Sequence, residues 1–215
     1  MEMKTITQKL DEGRQYRSFD VAGFERRAEA DGKTVEGYAT TFNRPYELWS
    51  YDGYTVIEQI DARAFDDCDM SDVIMQYDHA GRVFARTSND TLAVAPDDIG
   101  LHVRAELGGT EIGRQLYEEI EGGYTTKMSF GFRVAEDRRE VTENHEDNTV
   151  TVLRTITKIS KLYDVSAVSL PANDATSISA RNFGEGVIAE IKKELLEREN
   201  RERQKKKIKI LTEVL

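Results

Sequence analysis

Met128-Ser129-Phe130-Gly131-Phe132-Arg133-Val134 alternates residue by residue. Side chains along a strand point to opposite faces in turn. Phe130, Phe132 and Val134 therefore share an apolar, inward face, and Ser129, Gly131 and Arg133 share the other. Gly131 leaves open space beside Ser129, where another backbone can approach closely. A second run, Leu162-Tyr163-Asp164-Val165-Ser166-Ala167-Val168, reads the same way, with Leu162, Asp164, Ser166 and Val168 on one face. These two runs set a β-rich body, and the rest of the chain is read outward from them.

Val21–Ala28 and Thr34–Phe42 flank Asp31-Gly32, a hairpin signal. Tyr54–Ile60 and Val73–Tyr77 read as strands, with a helical turn at Asp61–Phe65 between them. Val73–Tyr77 delivers its end into Asp78-His79-Ala80-Gly81. Thr91–Ala95 and Leu101–Leu107 lie on either side of the turn cluster Pro96–Gly100. One helix is clear: Thr110 caps it, Ile112, Leu116 and Ile120 share a face, and Gly122-Gly123 ends it. A charged loop is expected from Glu136 to Asn148. Two β-runs follow, Thr149–Ile156 and Ile159–Leu170, and Pro171-Ala172-Asn173 stops the second. Ile188, Ile191 and Leu195, then Ile208, Leu211 and Leu215, have helical spacing around the apolar-free stretch Glu197–Lys207. This tail is expected as a charged helix, either solvated or docking on a partner through its ends.

The chain has 215 residues, enough for one main domain with its own core. Thirty Lys+Arg stand against 40 Asp+Glu, a net charge of −10. Val187–Leu215 carries nine Lys/Arg against six Asp/Glu, or +3, so residues 1–186 carry −13. An acidic body lacks the clustered basic footprint of a nucleic-acid binder. Cys68 is the only cysteine, which excludes an internal disulfide. A mean hydropathy of −0.59 and the absence of a long apolar run give no expectation of a membrane span. No metal-ligand spacing, P-loop or dinucleotide fingerprint occurs. The acidic stretch Asp66-Asp67-Cys68-Asp69 with Asp72 lacks the EF-hand pattern and reads as a solvated loop. No cofactor and no metal are expected.

Three side chains have the chemistry of a hydrolytic site. A serine hydroxyl such as that of Ser129 reacts only when a base takes its proton. Without the G-x-S-x-G elbow, Ser129 also fits as an ordinary strand serine. His79, in a Gly-containing turn at a strand end, is both held and accessible, as a proton carrier near neutral pH must be. It also fits as a structural histidine, and His102 and His145 are the other two. Asp164 places a carboxylate on a largely apolar face, where an isolated charge is costly. It needs a partner, either an imidazolium that it orients or a basic side chain with no catalytic role.

Several segments, in order, resemble the prohead (capsid-maturation) serine proteases of tailed bacteriophages, over about Phe19 to Phe183. They are Gly37-Tyr38-Ala39-Thr40-Thr41-Phe42-Asn43; Tyr54-Thr55-Val56-Ile57-Glu58-Gln59-Ile60 with Ala64-Phe65; Gln76-Tyr77-Asp78-His79 followed by Arg86-Thr87 and Thr91-Leu92; Met128-Ser129-Phe130-Gly131-Phe132; and Leu162–Ala172. Two local departures occur: Arg63 stands where glycine is usual, and Asp78-His79-Ala80 where many members have Asn-His-Asp.

The resemblance implies a mainly β (α+β) fold, a closed β-barrel of herpesvirus-protease type with peripheral helices, to which the tail read above adds a charged C-terminal helix. It divides the chain into a polar N-terminal segment (1–18), a protease domain (19–186) and a charged helical tail (187–215). It implies a serine endopeptidase that cleaves scaffold and major capsid protein, and often itself, in the host cytoplasm inside the assembling procapsid, with self-association. Ser129 would be the nucleophile and His79 the general base and acid. Asp164 would be the third member, a place that a second histidine takes in related viral enzymes. The alternative is a non-catalytic scaffold or assembly protein built on a protease-like domain.

Overall fold

The alternation that begins at Met128 does not stop at Val134. In the computed structural model, which describes residues 3–9, 13–19, 25–29, 32–169 and 178–213, the strand runs on to Asn144, with the alternation changing phase between Val134 and Asp137. The strands in chain order are β1 (Met3–Lys9), β2 (Gln15–Phe19), β3 (Glu25–Glu29), β4 (Gly32–Thr41), β5 (Tyr46–Tyr51), β6 (Tyr54–Ile60), β7 (Ile74–Tyr77), β8 (Ala80–Arg86), β9 (Leu92–Pro96), β10 (Gly100–Glu106), β11 (Lys127–Asn144) and β12 (Thr149–Val168). Helix α1 spans Glu111–Glu121 and α2 spans Ile178–Glu213.

Residues 136–144, expected as loop, are strand, and the turn is confined to 145–148. Their buried face carries Asp137, Arg139 and Val141. The charges there are matched by partners distant in sequence, so polarity does not prevent a strand. Thr149–Ile156 and Ile159–Leu170, expected as two runs, form the single strand β12 as far as Val168. Register shifts against β11 between Gly131 and Asp137 absorb the break in alternation. The expected stop at Pro171 lies outside the described residues, as do parts of the Val21–Ala28 hairpin arm.

Two sheets result. The larger follows the path β1-β11-β12-β6-β5, with β2 added on β11 and the β7–β8 hairpin on β12; the smaller has the order β3-β4-β10-β9. The mainly β architecture with a few helices is present. Among the described residues neither ladder returns to its first strand, so the expected closed barrel is not seen. Strand β11 uses one edge for β12 and the other for β1 and β2, and has no edge left to bond the second sheet. The sheets instead meet through side chains. Val35 and Ala39 of β4 and Leu101, Val103 and Ala105 of β10 pack in one core with Phe130, Phe132 and Leu162. The Phe130 and Phe132 rings stack at 4.4 Å. Each buried Val, Leu or Phe side chain among them contributes about 1.5–3 kcal/mol relative to exposure.

Helix α1 is capped as its sequence directs: Thr110 Oγ1 accepts from the Gly113 amide at 3.0 Å, and Leu116 faces the core. Helix α2 packs Val187 and Ile191 against Leu48, Val56, Val141, Val150 and Val152 in a second apolar cluster, and Arg139 reaches Glu190 on α2 at 3.1 Å. No described helix is long and apolar enough to cross a membrane.

Candidate active site

Strand β12 lies between β11 and β7. Its partners on β11 are Ser129, opposite Ser166, and Gly131, opposite Asp164. On its other edge it runs parallel to β7, with Ala167 beside Tyr77. Ser129, Asp164 and Ser166 thus share one face by register alone. His79 reaches that face from a two-residue turn. Tyr77 pairs with Ala80 in the β7–β8 hairpin, leaving Asp78 (φ 48°) and His79 (φ 57°) as the turn. Both residues are left-handed, the backbone of a type I′ hairpin turn, which non-glycine residues rarely adopt. Asp78 holds the turn in place: its amide donates to the Ala167 carbonyl at 3.0 Å, and its carboxylate accepts from the Ser169 amide and hydroxyl, each at 3.2 Å.

The three side chains singled out in the sequence meet. His79 Nε2 lies 2.5 Å from Ser129 Oγ, and His79 Nδ1 lies 2.5 Å from Asp164 Oδ1. With the Nδ1 proton donated to Asp164, Nε2 is the acceptor that faces the hydroxyl. Asp164 is fully buried and its charge is well matched. Oδ1 also accepts from Ser166 Oγ at 2.7 Å, and Oδ2 pairs with Arg14. Burial pushes the Asp164 carboxyl up, but the hydrogen bond and charge of His79, then Ser166 and Arg14, outweigh it and hold it below the ordinary carboxylate range. It is therefore ionised across the neutral range.

Gly131 has a specific use here. A Cβ at this position would run into Asp164 Oδ2 and lie 2.9 Å from Arg14 Nε. The space beside Ser129 is filled by the Asp164 carboxylate. The other histidines lie elsewhere. His102, on β10 in the smaller sheet, packs edge-on against Tyr38 with 5.3 Å between ring centroids. His145 is in the β11–β12 turn.

The carboxylates of 66–72 are dispersed in separate ion pairs: Asp66 with Arg63, Asp67 with Lys158, Asp69 with Lys161 and Asp72 with Arg86. Among the described residues no group of three His, Cys, Asp or Glu side chains is placed to hold a metal ion. Cys68, half-buried beside this loop, has its thiol pushed up to about 12, first by burial.

The sequence reading missed the segment that lies over the site. Arg14 meets Asp164. Its guanidinium sits between the rings of Tyr16 and Tyr163, 5.0 and 4.8 Å from their centroids. The Tyr16 ring lies 4.3 Å from that of His79. The Arg17 carbonyl is 3.0 Å from Ser129 Oγ. No motif marks these residues, because they arrive as an added strand on β11. Ser166 was visible in principle, two residues from Asp164 on the same strand face.

The caudovirus prohead serine protease family matches residues 22–189, most of the chain. Among solved structures, the chain is similar to the bacteriophage T4 capsid assembly protease gp21 at 12% identity and a TM-score of 0.34, over 78% of this chain and 99% of that one. No curated protein gives a significant match. With the family covering both strands, the hairpin and the helix described above, the chain belongs to the caudovirus prohead serine proteases.

Proposed function

We propose that the chain is a serine endopeptidase of phage head maturation, with Ser129 as nucleophile, His79 as general base and acid, and Asp164 as the group that holds the imidazole. The observation that carries this reading is the unbroken chain of contacts Ser129 Oγ–His79 Nε2 and His79 Nδ1–Asp164 Oδ1, built from three segments far apart in sequence. Ser129 Oγ adds to the scissile carbonyl carbon as its proton passes to Nε2. The C–N bond then breaks, and that proton goes to the leaving amine. Water repeats the sequence on the acyl ester and frees Ser129. Asp164, ionised and buried, stabilises the imidazolium formed in each half and fixes its tautomer. The substrates are segments of the scaffold and major capsid proteins, and of the protease itself, cut inside the assembling shell.

The test is co-expression with the capsid and scaffold proteins, read by mass spectrometry of the products. Wild-type chain is expected to yield truncated products. Ser129→Ala is expected to yield none while retaining the wild-type melting curve. Truncation at the wild-type rate by Ser129→Ala would remove Ser129 from the mechanism. Intact products with both chains would favour the assembly-protein alternative.

A further inference from the structure

Each of the three proposed catalytic side chains is also touched by one short segment of the same chain. Arg14 pairs with Asp164, Tyr16 packs on His79, and the Arg17 carbonyl faces Ser129 Oγ at 3.0 Å. The segment runs antiparallel along β11, from Gln15 opposite Phe132 to Phe19 opposite Met128. Beneath it Ser129 is 0% exposed, and only 15% of the His79 side chain reaches solvent. A peptide bond can react only with its carbonyl carbon about 3–3.5 Å from the nucleophile. Neighbouring strands pair edge to edge about 4.8 Å apart, so a second peptide cannot pair with β11 beside Ser129 while β2 holds that edge.

We infer that Arg14–Phe19 is a built-in occupant of the substrate edge of β11, and that the protease is latent until an incoming extended peptide, or loss of this segment, lifts β2 away. The inference rests on the proposed role of Ser129. Three features of the contacts suit a latch. The Ser129 hydroxyl has one proton and two acceptors, and donation to the Arg17 carbonyl withdraws that proton from His79. Arg14 puts a fixed positive charge on Asp164, which weakens the support this carboxylate gives an imidazolium. The anchor is also replaceable. Arg17 clasps Glu58 through Nε at 2.5 Å and Nη2 at 3.0 Å, but Arg154 holds the same carboxylate at 2.8 Å. Departure of Arg17 therefore does not leave Glu58 as an isolated buried charge. A peptide that adds to β11 remakes the ladder bonds β2 gives up, so the exchange requires little net loss of backbone pairing.

The test uses the full chain and a fluorophosphonate probe, with the modified residue located by peptide mass. Arg14→Ala/Arg17→Ala is expected to label Ser129 at least tenfold faster than wild type. A synthetic peptide of the sequence 13–19 is expected to return the rate toward wild type, and a scrambled peptide to leave it unchanged. Equal rates in wild type and variant would overturn the occlusion and leave the nucleophile assignment standing. Should the double variant lose its cooperative melt, Arg14→Ala alone, at a side chain one-third exposed, carries the same comparison. A second readout does not depend on catalysis. In a His79→Ala background, iodoacetamide should alkylate the thiol introduced by Ser129→Cys at least tenfold faster when the Arg14 and Arg17 changes are added. If it does and no chain reacts with fluorophosphonate, the nucleophile reading fails and the cover over Ser129 stands. Unchanged alkylation overturns the cover itself.

Discussion

Two buried ionic clusters are built on the same pair of strands, and they differ in one respect that decides what each can do. At one, Asp164 faces an imidazole, a hydroxyl and Arg14. At the other, Glu58 is held by Arg17 and Arg154, and accepts from Tyr46 as well. Arg154 continues to Asp137 at 2.6 Å, and Arg139 links Asp137 to Glu190. Both clusters satisfy carboxylates that water cannot reach: Asp164 in the first, Glu58 and Asp137 in the second. In the second, every cation is a guanidinium, which does not give up its proton at any ordinary pH. Charge there is fixed and the network only holds strands together. In the first, one partner is a histidine, whose ring nitrogens can both accept and donate a proton. An imidazole at hydroxyl distance, where the other cluster has a guanidinium, is what the proposed proton relay requires.

The largest expected effect separates the two clusters directly. Ser129→Ala and His79→Ala should each reduce peptide cleavage by at least about 10⁴-fold. The double variant should be no worse than the more damaged single one, because the pair acts as a unit. Steady-state cleavage of a capsid-derived peptide by the two singles and the double decides this. Losses that multiply would mean that His79 and Ser129 act independently, and the relay would be broken as an idea. Arg154→Met, in the fixed cluster, should lower stability, since it leaves Glu58 and Asp137 each short of a buried guanidinium.

Gly131→Ala comes next. The added Cβ meets Asp164 Oδ2 in a carboxylate already bound to His79, Ser166 and Arg14. Moving that carboxylate by even 1 Å misorients the imidazole, a displacement that costs about 10²-fold. The expected signature is a fall in kcat at little changed KM, with the nucleophile intact. Wild-type kcat would show that Asp164 is not needed in this position.

These clusters also mark where the sequence was legible. Alternation put Ser129 and Gly131 on one face of β11, and Asp164 and Ser166 on one face of β12, before any register was known. The Asp78-His79 turn was visible because an apolar run ended in it. Strands β1 and β2 were not, since neither shows an apolar stripe. They form because β11 offers an unpaired edge, and that pairing is a property of the assembled sheet. Glu136–Asn144 looked like loop for the related reason that Asp137 and Arg139 are charged. Their partners, Arg154 and Glu190, are 17 and 51 residues away. Local pattern reports the apolar half of a buried face, and the ionic half becomes readable only with its partner in view.

A pH comparison tests the fixed cluster. Burial would raise the Glu58 carboxyl, but the charges of Arg17 and Arg154, with hydrogen bonds from Arg17 and Tyr46, lower it from 4.5 to about 2. Between those values the unfolded chain binds more protons than the folded one, so the contribution of Glu58 to stability is full above about 4.5 and fades as pH falls toward 2. The whole contribution is about 3 kcal/mol at 1.36 kcal/mol per unit. The stability difference between wild type and Glu58→Gln, from urea unfolding, should therefore shrink as pH drops through this window. A difference that stays constant from pH 6 to pH 2.5 would mean that Glu58 is not held ionised by its guanidinium partners.

The smallest effect concerns neither cluster and sets the scale for both. Thr110→Ala removes the cap that receives the Gly113 amide at 3.0 Å and should cost about 1 kcal/mol of stability. Helix α1 is fastened to the core through Leu116, so the helix should persist and only its first turn should loosen. Cleavage per folded molecule should be unchanged, because Thr110 touches none of Ser129, His79 or Asp164. Amide exchange of Glu111–Gly113 reads the loosening locally. If Thr110→Ala reduced turnover as much as Gly131→Ala does, turnover would be tracking general stability, and the distinction between a charge network that moves protons and one that only holds strands would lose its experimental basis.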